Sequence, residues 1–303
     1  MGTDVHVVVV GGRVELLELA REVLDDLESR WSRFRPASEV SLMNLMAGYP
    51  VRVSAPTLEL VSLALEGVRI TRSRFDPTVL GDVIRAGYDR SFELLAAGTA
   101  GGRSDLRRGS EAIVVDPVAS TVTIPTGVGF DPGGIGKGYA ADLVVAALLD
   151  AGAEGVCANV GGDLRVEGRP PDGSWAVAVA HPLRAESTTV LSLRRGAVAT
   201  STRTRRTWGP PHDRRHHLID PATGRPAGRG VASATAVAAR GWQAEVLSKA
   251  AFVSGVEEGI DLLTSMEAEG LFVDDAGGVH RSPGLDRFTA ERERAVAGEG
   301  TRP

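Results

Sequence analysis

The sequence predicts an α+β fold built from mixed layers of helices and strands. Short runs of β-branched and aliphatic residues are interspersed with longer segments whose apolar residues recur every three or four positions. The order of these segments lacks the strict strand–helix–strand rhythm of a doubly wound parallel sheet. With 303 residues, 43% of them hydrophobic, and no tandem repeat or clear linker, the chain is long enough for one large domain or two closely packed lobes.

The N-terminal part of the chain predicts a strand followed by two helices. The stretch Val5 to Val10 is rich in valine and is typical of a strand. Apolar residues then recur at helical spacing from Leu16 to Phe34, which predicts an amphipathic helix. A second helix is predicted from about Ala55, because the proline that follows it suits the first helical turn.

The remainder of the chain predicts several short strands and two more helical regions. The strands are expected at 112–115, 121–124, 155–159, 164–166, 175–180 and 188–193. One helix should run from a glycine-rich turn to about Ala151, and the last helical region should span 241–266. From Ser282 the chain is polar, so we expect 282–303 to be disordered or frayed and 1–281 to form a single domain.

Composition restricts the partners and the location of the protein. The formal net charge is −5 and most basic residues are spread along the chain, so nucleic acid is not expected as a partner. No apolar run approaches the roughly 20 residues that span a bilayer, and no signal peptide is recognised, so we expect a cytoplasmic protein without a membrane partner. The single cysteine, Cys157, lies in a predicted strand and is expected to be a buried thiol.

The most informative motif is the turn at 131–142, which reads DPGGIGKGYAAD. It places four glycines and Lys137 at the start of a helix, where backbone N–H groups and the helix dipole favour an anion. The spacing matches neither a Walker A loop nor a Rossmann fingerprint. The turn therefore predicts a phosphate or diphosphate site of another kind, with a solvated lysine on an ordinary turn as the alternative.

Several segments resemble the flavin transferase (ApbE) family and occur in that family's order. They are MGT at 1–3, Phe34, SEVSLMN at 38–44, FDPTV at 75–79, the turn at 131–142, NVGGD at 159–163, ATS at 199–201 and HHLIDPATG at 216–224. The resemblance extends to about Gly255. It implies two lobes of mixed α/β layers with the flavin site in the cleft between them. It also implies Mg²⁺-dependent transfer of FMN from FAD to a Ser or Thr of a target flavoprotein.

Carried over position by position, the resemblance implies a set of residues that contact FAD. They are Met1, Phe34, Arg74, Phe75, Asp76, Asp131, Gly133, Gly134, Lys137, Asn159, Gly161, Gly162, His217 and Ile219. The family often has tyrosine where Phe34 stands, and phenylalanine can still stack on a ring. For the glycine pair at 161–162, an ordinary β-turn is the alternative.

His217 is the candidate proton relay because its imidazole can take a proton from an attacking hydroxyl. The alternative is a local hydrogen bond from its ring to Asp220. The resemblance thus implies FMN transfer, with FAD hydrolysis or a non-catalytic flavin carrier or sensor as the competing functions.

The metal site that the resemblance implies is altered in this chain. In the family an Asp and a Thr four residues apart on a helix bind Mg²⁺, but here they are replaced by Glu245 and Lys249. An ammonium group has no lone pair for a metal and repels a cation. Three alternatives remain. The two residues form an ordinary helix pair, or Lys249 takes the place of the ion as a catalytic charge, or Lys249 turns away while Glu245 and the carbonyl of Gly134 still bind Mg²⁺.

Overall fold

The computed structural model describes residues 3–95, 99–210, 214–228 and 230–289, and it confirms the predicted α+β class. The helices are α1 (Glu15–Trp31), α2 (Glu39–Leu45), α3 (Ala55–Ile70), α4 (Leu80–Arg85), α5 (Gly136–Asp150), α6 (Gly241–Ser254) and α7 (Val256–Ser265). The first eight strands are β1 (Val5–Val10), β2 (Val51–Arg52), β3 (Val114–Asp116), β4 (Thr121–Thr123), β5 (Gly155–Val160), β6 (Asp163–Gly168), β7 (Trp175–Ala180) and β8 (Ser187–Leu193). The others are β9 (Gly196–Thr202), β10 (Thr207–Trp208), β11 (Arg215–His216), β12 (Ile219–Asp220), β13 (Arg225–Pro226), β14 (Val231–Ala238), β15 (Glu269–Asp274) and β16 (Val279–Arg281).

A seven-stranded antiparallel sheet forms the larger lobe, in the order β1-β5-β6-β9-β14-β15-β16. Helices α5, α6 and α7 pack on one face of this sheet. Alanines such as Ala234 and Ala236 in β14 are fully buried, and their small side chains let α6 approach closely. The β7–β8 hairpin packs its valines and leucines on the opposite face of the sheet.

The smaller lobe combines α1, α2 and α3 with a three-stranded sheet of order β2-β4-β3. Its core includes Leu60, Val122 and Phe130, all essentially buried. The same core continues into Tyr139 of α5 and Val246 of α6, so the two helices of the larger lobe also form the wall of the smaller one. The two-lobed arrangement that the sequence predicts is therefore confirmed.

Several boundaries differ from the expected ones. Helix α1 ends at Trp31, before Phe34, and the helical region at 241–266 is two helices separated by Gly255, whose φ of 88° interrupts the helix. In the larger sheet, β9, β14, β15 and β16 were not predicted. β9 and β14 are rich in alanine, which carries little strand signal.

The C-terminal segment packs further than expected. Residues 282–289 include a short 3₁₀ turn at Leu285–Phe288 whose Leu285 is fully buried against the β7–β8 side of the sheet. Packing therefore continues past the expected boundary at 282, and the expected tail at 290–303 lies outside the described residues. None of the described helices is long and apolar enough to cross a bilayer.

Helices α5 and α6 cross at two glycines and cap each other. A Cβ on Gly138 would lie only 2.2 Å from the carbonyl oxygen of Gly241, so glycine is required for this close approach. Asp142 of α5 accepts the N–H groups of Gly241 at 2.8 Å and Trp242 at 3.0 Å. In return, Glu245 of α6 accepts the N–H of Gly138 at 2.8 Å. Each carboxylate thus satisfies backbone groups at the start of the other helix.

Candidate functional site

Two adjoining cavities meet where the lobes come together. The first, of about 290 Å³, lies beside the C-terminal end of α1 and the turn at 131–136. The second, of about 700 Å³, lies between β7 and the turn that joins β5 to β6. Both cavities are lined by Gly133, Lys137, His217 and Lys249, so these residues mark the junction.

The structure brings most of the sequence-predicted FAD contacts to these cavities. The first cavity is lined by Phe34, Arg74, Phe75, Asp76, Asp131, Gly133, Gly134, Lys137, His217 and Ile219. Asn159, Gly161 and Gly162 line the second cavity. Met1 lies outside the described residues.

An aromatic wall closes the first cavity, and its key residue was missed from the sequence. The Arg33 guanidinium lies 4.2 Å from the ring centroid of Phe34 and 4.7 Å from that of Tyr88. It also donates to the carbonyl oxygen of Tyr88 at 2.9 Å and pairs with Asp131 at 3.4 Å. Phe34 is 36% exposed, which leaves ring surface for a planar ligand. Nothing in the sequence pattern distinguishes Arg33 from neighbouring arginines.

The glycine-rich turn owes its shape to local contacts. Asp131 Oδ1 accepts the N–H of Gly133 at 2.9 Å. A Cβ on Gly134 would lie 2.5 Å from the ring of Phe75, which is buried in the core of the smaller lobe, so only glycine fits there. Within the described residues the N–H groups of Gly136 and Lys137 make no hydrogen bond outside the helix they begin. The turn therefore offers backbone donors to an anion.

Beneath the junction, two lysines and two carboxylates form a buried cluster, which we name the lysine–carboxylate cluster: Lys137, Asp163, Glu245 and Lys249. Lys137 is hydrogen-bonded to Asp163, and its Nζ lies 3.3 Å from Glu245 Oε1. Lys249 Nζ donates to the same Oε1 at 2.9 Å. Asp163 and Glu245 are buried, whereas both lysines keep part of their side chains exposed to the cavities. The positive charges of the cluster thus face the space where a ligand would bind.

The surroundings shift the pKa values of the two carboxylates in this cluster in opposite directions. Burial alone would raise the pKa of Glu245, but Lys137, Lys249 and the N–H of Gly138 together lower it to about 2. Burial would lower the pKa of Lys137, yet Asp163 and Glu245 outweigh it and raise that pKa. Burial raises the pKa of Asp163, and the neighbouring Lys137 opposes the shift. At neutral pH Lys137 is therefore an ammonium group and Glu245 a carboxylate.

These residues do not fit a magnesium ion. Mg²⁺ needs oxygen ligands in near-octahedral geometry, but one oxygen of Glu245 is occupied by two ammonium groups and the other by the N–H of Gly138. The Lys249 side chain runs past Gly134: a Cβ on that glycine would lie 3.4 Å from Lys249 Cδ. Among the described residues no cluster of three His, Cys, Asp or Glu side chains is suited to a metal. The alternative in which Lys249 turns away from Glu245 is not the observed one.

His217 does not form the local hydrogen bond to Asp220 that the sequence allowed. Asp220 accepts the N–H of Ala222 at 2.8 Å and the hydroxyl of Thr223 at 2.9 Å, and no hydrogen bond joins it to His217. His217 Nδ1 is buried without a hydrogen-bond partner among the described residues, and the residue lines both cavities. Burial, and then the positive charge of Lys249, hold the pKa of His217 well below its usual value. The ring is therefore neutral at pH 7.

Other predicted contacts have mainly local roles. Arg74 forms an ion pair with Glu258 at 2.9 Å at the margin of the first cavity. The Asp76 carboxylate accepts the N–H of Thr78 at 2.7 Å within its own loop and the hydroxyl of Ser110, 34 positions away, at 3.3 Å.

The NVGGD segment forms the two-residue turn between β5 and β6. Gly161 and Gly162 have φ values of 64° and 95°, and Asn159 Oδ1 accepts the N–H of Gly162 at 2.8 Å. The turn reading is therefore correct, and the same turn places Asp163 against Lys137. In β5, burial raises the pKa of the Cys157 thiol to about 11, in keeping with an unreactive side chain.

Comparison with known proteins identifies the family of this chain. The family model described as "ApbE family" matches residues 1–272. The chain belongs to the ApbE family. The crystal structure of the ApbE protein from Thermotoga maritima superimposes with a TM-score of 0.86 at 29% identity, covering 95% of this chain and 96% of that one.

Curated ApbE relatives carry a functional name. The "FAD:protein FMN transferase" of Treponema pallidum is 29% identical over 91% of this chain and 84% of its own length. The protein of the same name from Klebsiella pneumoniae is 27% identical over 77% of this chain and 73% of its own length.

Proposed function

We propose that this ApbE-family protein transfers FMN from FAD to a serine or threonine of a target flavoprotein and releases AMP. The observation that carries the proposal is the junction of the two cavities. There, the donor-rich turn, two lysines and an unpartnered neutral histidine surround one space. The first cavity is suited to the ring of a planar ligand, and the second, which Asn159, Gly161 and Gly162 line, gives the rest of FAD room beyond the junction.

The proposed reaction is a substitution at the phosphorus of the FMN half of FAD. The acceptor hydroxyl oxygen forms a bond to that phosphorus, and the bond from the phosphorus to the AMP oxygen breaks with its electron pair leaving on AMP. His217 takes the hydroxyl proton and passes it to solvent. This role requires a neutral imidazole, and the lowered pKa keeps the His217 ring unprotonated at pH 7 while making it a weaker base than a free histidine.

Lys137 and Lys249 supply the positive charge that the diphosphate requires as charge develops on the leaving group. Glu245 orients both ammonium groups through Oε1, and Asp163 holds Lys137 from the other side. This arrangement supports the alternative in which Lys249 takes the place of Mg²⁺, since a simple surface pair would not be buried against a second lysine. We therefore propose that FAD binds without a required metal ion.

A direct test is to incubate the purified protein with FAD and a pooled library of synthetic threonine-containing peptides. We expect AMP by chromatography and FMN attached to peptides by mass spectrometry. AMP with free FMN and unmodified peptides would indicate hydrolysis of FAD instead. Tight FAD binding without AMP would indicate a carrier or sensor, and absence of FAD binding would contradict the proposal altogether.

A further inference from the structure

We propose that two copies of this chain pair through the outer edge of β1, so that the large sheet continues across a twofold axis and the two α1 helices pack side by side. An open groove of about 530 Å³ lies between β1 and α1, and we name it the β1–α1 groove. Its lining includes Val5, Val7, Leu17, Arg21, Leu24 and Asp25. None of these six is among the predicted FAD contacts, so the inference goes beyond the proposed FMN transfer and does not depend on it.

β1 is a long and regular edge strand. It ends the seven-stranded sheet, and within the described ranges no strand pairs with its outer side. Its sequence, VHVVVV, contains neither proline nor lysine, and its six residues pair with β5 without a bulge. The other edge strand, β16, has only three residues, and two of them are His280 and Arg281. Proteins normally cover an apolar edge such as β1, whereas a short polar edge needs no cover.

The outward backbone groups of β1 belong to its odd-numbered residues. The carbonyl oxygen of Asp4 accepts the N–H of Gly161 at 2.9 Å, so even-numbered residues turn their backbone groups toward β5. The alternation of an antiparallel strand then turns the N–H and C=O groups of Val5, Val7 and Val9 outward. The side chains of Val7 and Val9 pack on the helix side of the sheet. The outward backbone groups and the apolar helix-side face therefore belong to the same residues.

A second copy of β1 matches this pattern by symmetry. A twofold axis perpendicular to the sheet keeps equivalent side chains on the same face, so each odd-numbered residue must lie opposite another odd-numbered residue. Centring the antiparallel pair on His6 places Val5 opposite Val7 of the second copy, and Val7 opposite its Val5. The outward N–H and C=O groups of these residues then bond to each other. The symmetric contact therefore satisfies the edge and covers the groove together.

Charges on α1 also favour a second copy. Continuing the sheet brings the two α1 helices together, antiparallel, on one face. On the groove side of α1, Leu17, Arg21, Leu24 and Glu28 recur at the spacing of a helix-packing seam. Arg21 lies 3.7 Å from Asp25 of its own helix, and both side chains are largely exposed. In the antiparallel contact each Arg21 faces Asp25 of the other copy, and Leu24 packs near the axis.

The experiment measures the oligomeric state of the full chain by sedimentation equilibrium over a range of protein concentrations. We expect the wild type to reach twice the mass of one chain. Val5→Lys places a lysine in the contact twice per dimer and should raise the dimer dissociation constant at least about tenfold. Val279→Lys is the matched control, because Val279 on β16 is 41% exposed and Val5 is 43% exposed. Circular dichroism melting curves check that both variants fold.

A charge exchange tests the helix contact without depending on how one variant folds. Arg21→Asp and Asp25→Arg each place like charges opposite one another twice per dimer, so each alone should weaken the dimer about threefold or more. In an equimolar mixture, a heterodimer of the two variants regains two contacts between opposite charges. Native mass spectrometry should therefore show more heterodimer than either homodimer. Both variants have lost the Arg21–Asp25 pair within α1, so this preference can come only from contacts between copies.

Hydrogen exchange of the β1 amides tests the strand pairing directly. The outward amides of Val5 and Val7 should exchange about tenfold more slowly or less as the protein concentration is raised through the dimer dissociation constant. The amides of His6 and Val8 face β5 and should be protected at every concentration.

Each result either supports or overturns the pairing. A single-chain mass at every concentration overturns it and leaves the β1 edge to a different partner. A dimer that Val5→Lys weakens no more than Val279→Lys does, or whose Val5 amide exchanges freely, forms through another surface and also overturns it. Charge variants that dimerise as tightly as the wild type overturn the helix contact. None of these measurements uses FAD, so they are decided separately from the proposed function.

Discussion

The two ends of the α5–α6 crossing use the same structural device for different purposes. At one end Asp142 caps α6 and lies 3.2 Å from the guanidinium of Arg165. At the other end Glu245 caps α5 and is bound by Lys137 and Lys249. Both carboxylates are buried and both accept backbone N–H groups. Yet Asp142 lies away from the two described cavities, whereas the lysines on Glu245 line both of them.

The pKa of Asp142 is raised and that of Glu245 is lowered, and this difference shows what the surroundings of each carboxylate contribute. Burial raises the pKa of Asp142, and its two backbone N–H donors and Arg165 only oppose that shift. The two ammonium groups at Glu245 outweigh burial and lower its pKa to about 2. Capping alone therefore yields a structural carboxylate. At Glu245, the positive charges of Lys137 and Lys249 on the cavity side make the capping carboxylate part of an anion site.

The largest expected effect is at the Glu245 end, where His217 faces the same cavities. His217→Ala should slow AMP release and peptide flavinylation by about 10²–10⁴-fold, the usual contribution of a positioned proton acceptor. FAD affinity measured by calorimetry should be nearly unchanged. His280→Ala, an exposed histidine paired with Asp274, is the control. Unchanged turnover in His217→Ala would remove the histidine from the reaction.

At the Asp142 end of the crossing, a substitution should lower the stability of the protein without changing its affinity for FAD. Asp142→Ala removes the cap of α6 and a partner of the buried Arg165, so we expect a loss of about 2–4 kcal/mol in the free energy of unfolding. Urea denaturation measures this change. FAD affinity of the folded variant should match that of the wild type. A large loss of FAD affinity at full stability would show that the two ends are not functionally distinct.

Removing a lysine from the cluster should have a smaller effect, on ligand binding. Lys137→Ala deletes a donor to the diphosphate and leaves Asp163 buried without its ammonium partner. We expect about 1–3 kcal/mol weaker FAD binding by calorimetry. The double variant Lys137→Ala/Asp163→Asn removes the uncompensated charge and should recover part of the loss. Equal affinity in wild type and Lys137→Ala would exclude the lysine from the site.

Local signals predicted much of this site. The glycine turn and the four-residue spacing of Glu245 and Lys249 are readable from sequence, because helix starts and i,i+4 pairs depend on neighbours along the chain. The α+β class and the helix boundary at Ala55 were predicted for the same reason.

Long-range contacts could not be predicted. The hydrogen bond from Gly138 to Glu245 joins residues 107 positions apart, and Asp142 reaches α6 over a similar distance. Nothing in the periodicity of a single sequence states which helices cross. Arg33 likewise becomes a site residue only because Tyr88 is folded against it. The Asp76 carboxylate likewise accepts the hydroxyl of Ser110, 34 positions further along the chain.

A smaller effect concerns acid stability. Because the folded pKa of Glu245 is about 2, below its ordinary 4.5, the folded state binds fewer protons than the unfolded state between these values. The stabilisation from ionised Glu245 should be complete above pH 4.5 and decrease as the pH falls toward 2. The stability difference between wild type and Glu245→Gln, from urea denaturation at several pH values, should shrink accordingly. A difference independent of pH would contradict the assigned ionisation.

The central claim is that the lysine–carboxylate cluster provides the charge that a metal ion would otherwise supply. The most direct measurement is the FAD dissociation constant by calorimetry, with added Mg²⁺ and with a chelator, for wild type and for Lys249→Thr. For wild type we expect the two values to agree within about twofold, since no oxygen of Glu245 is available to a metal. For Lys249→Thr we expect Mg²⁺ to tighten binding. Loss of wild-type FAD binding in the chelator would contradict the account.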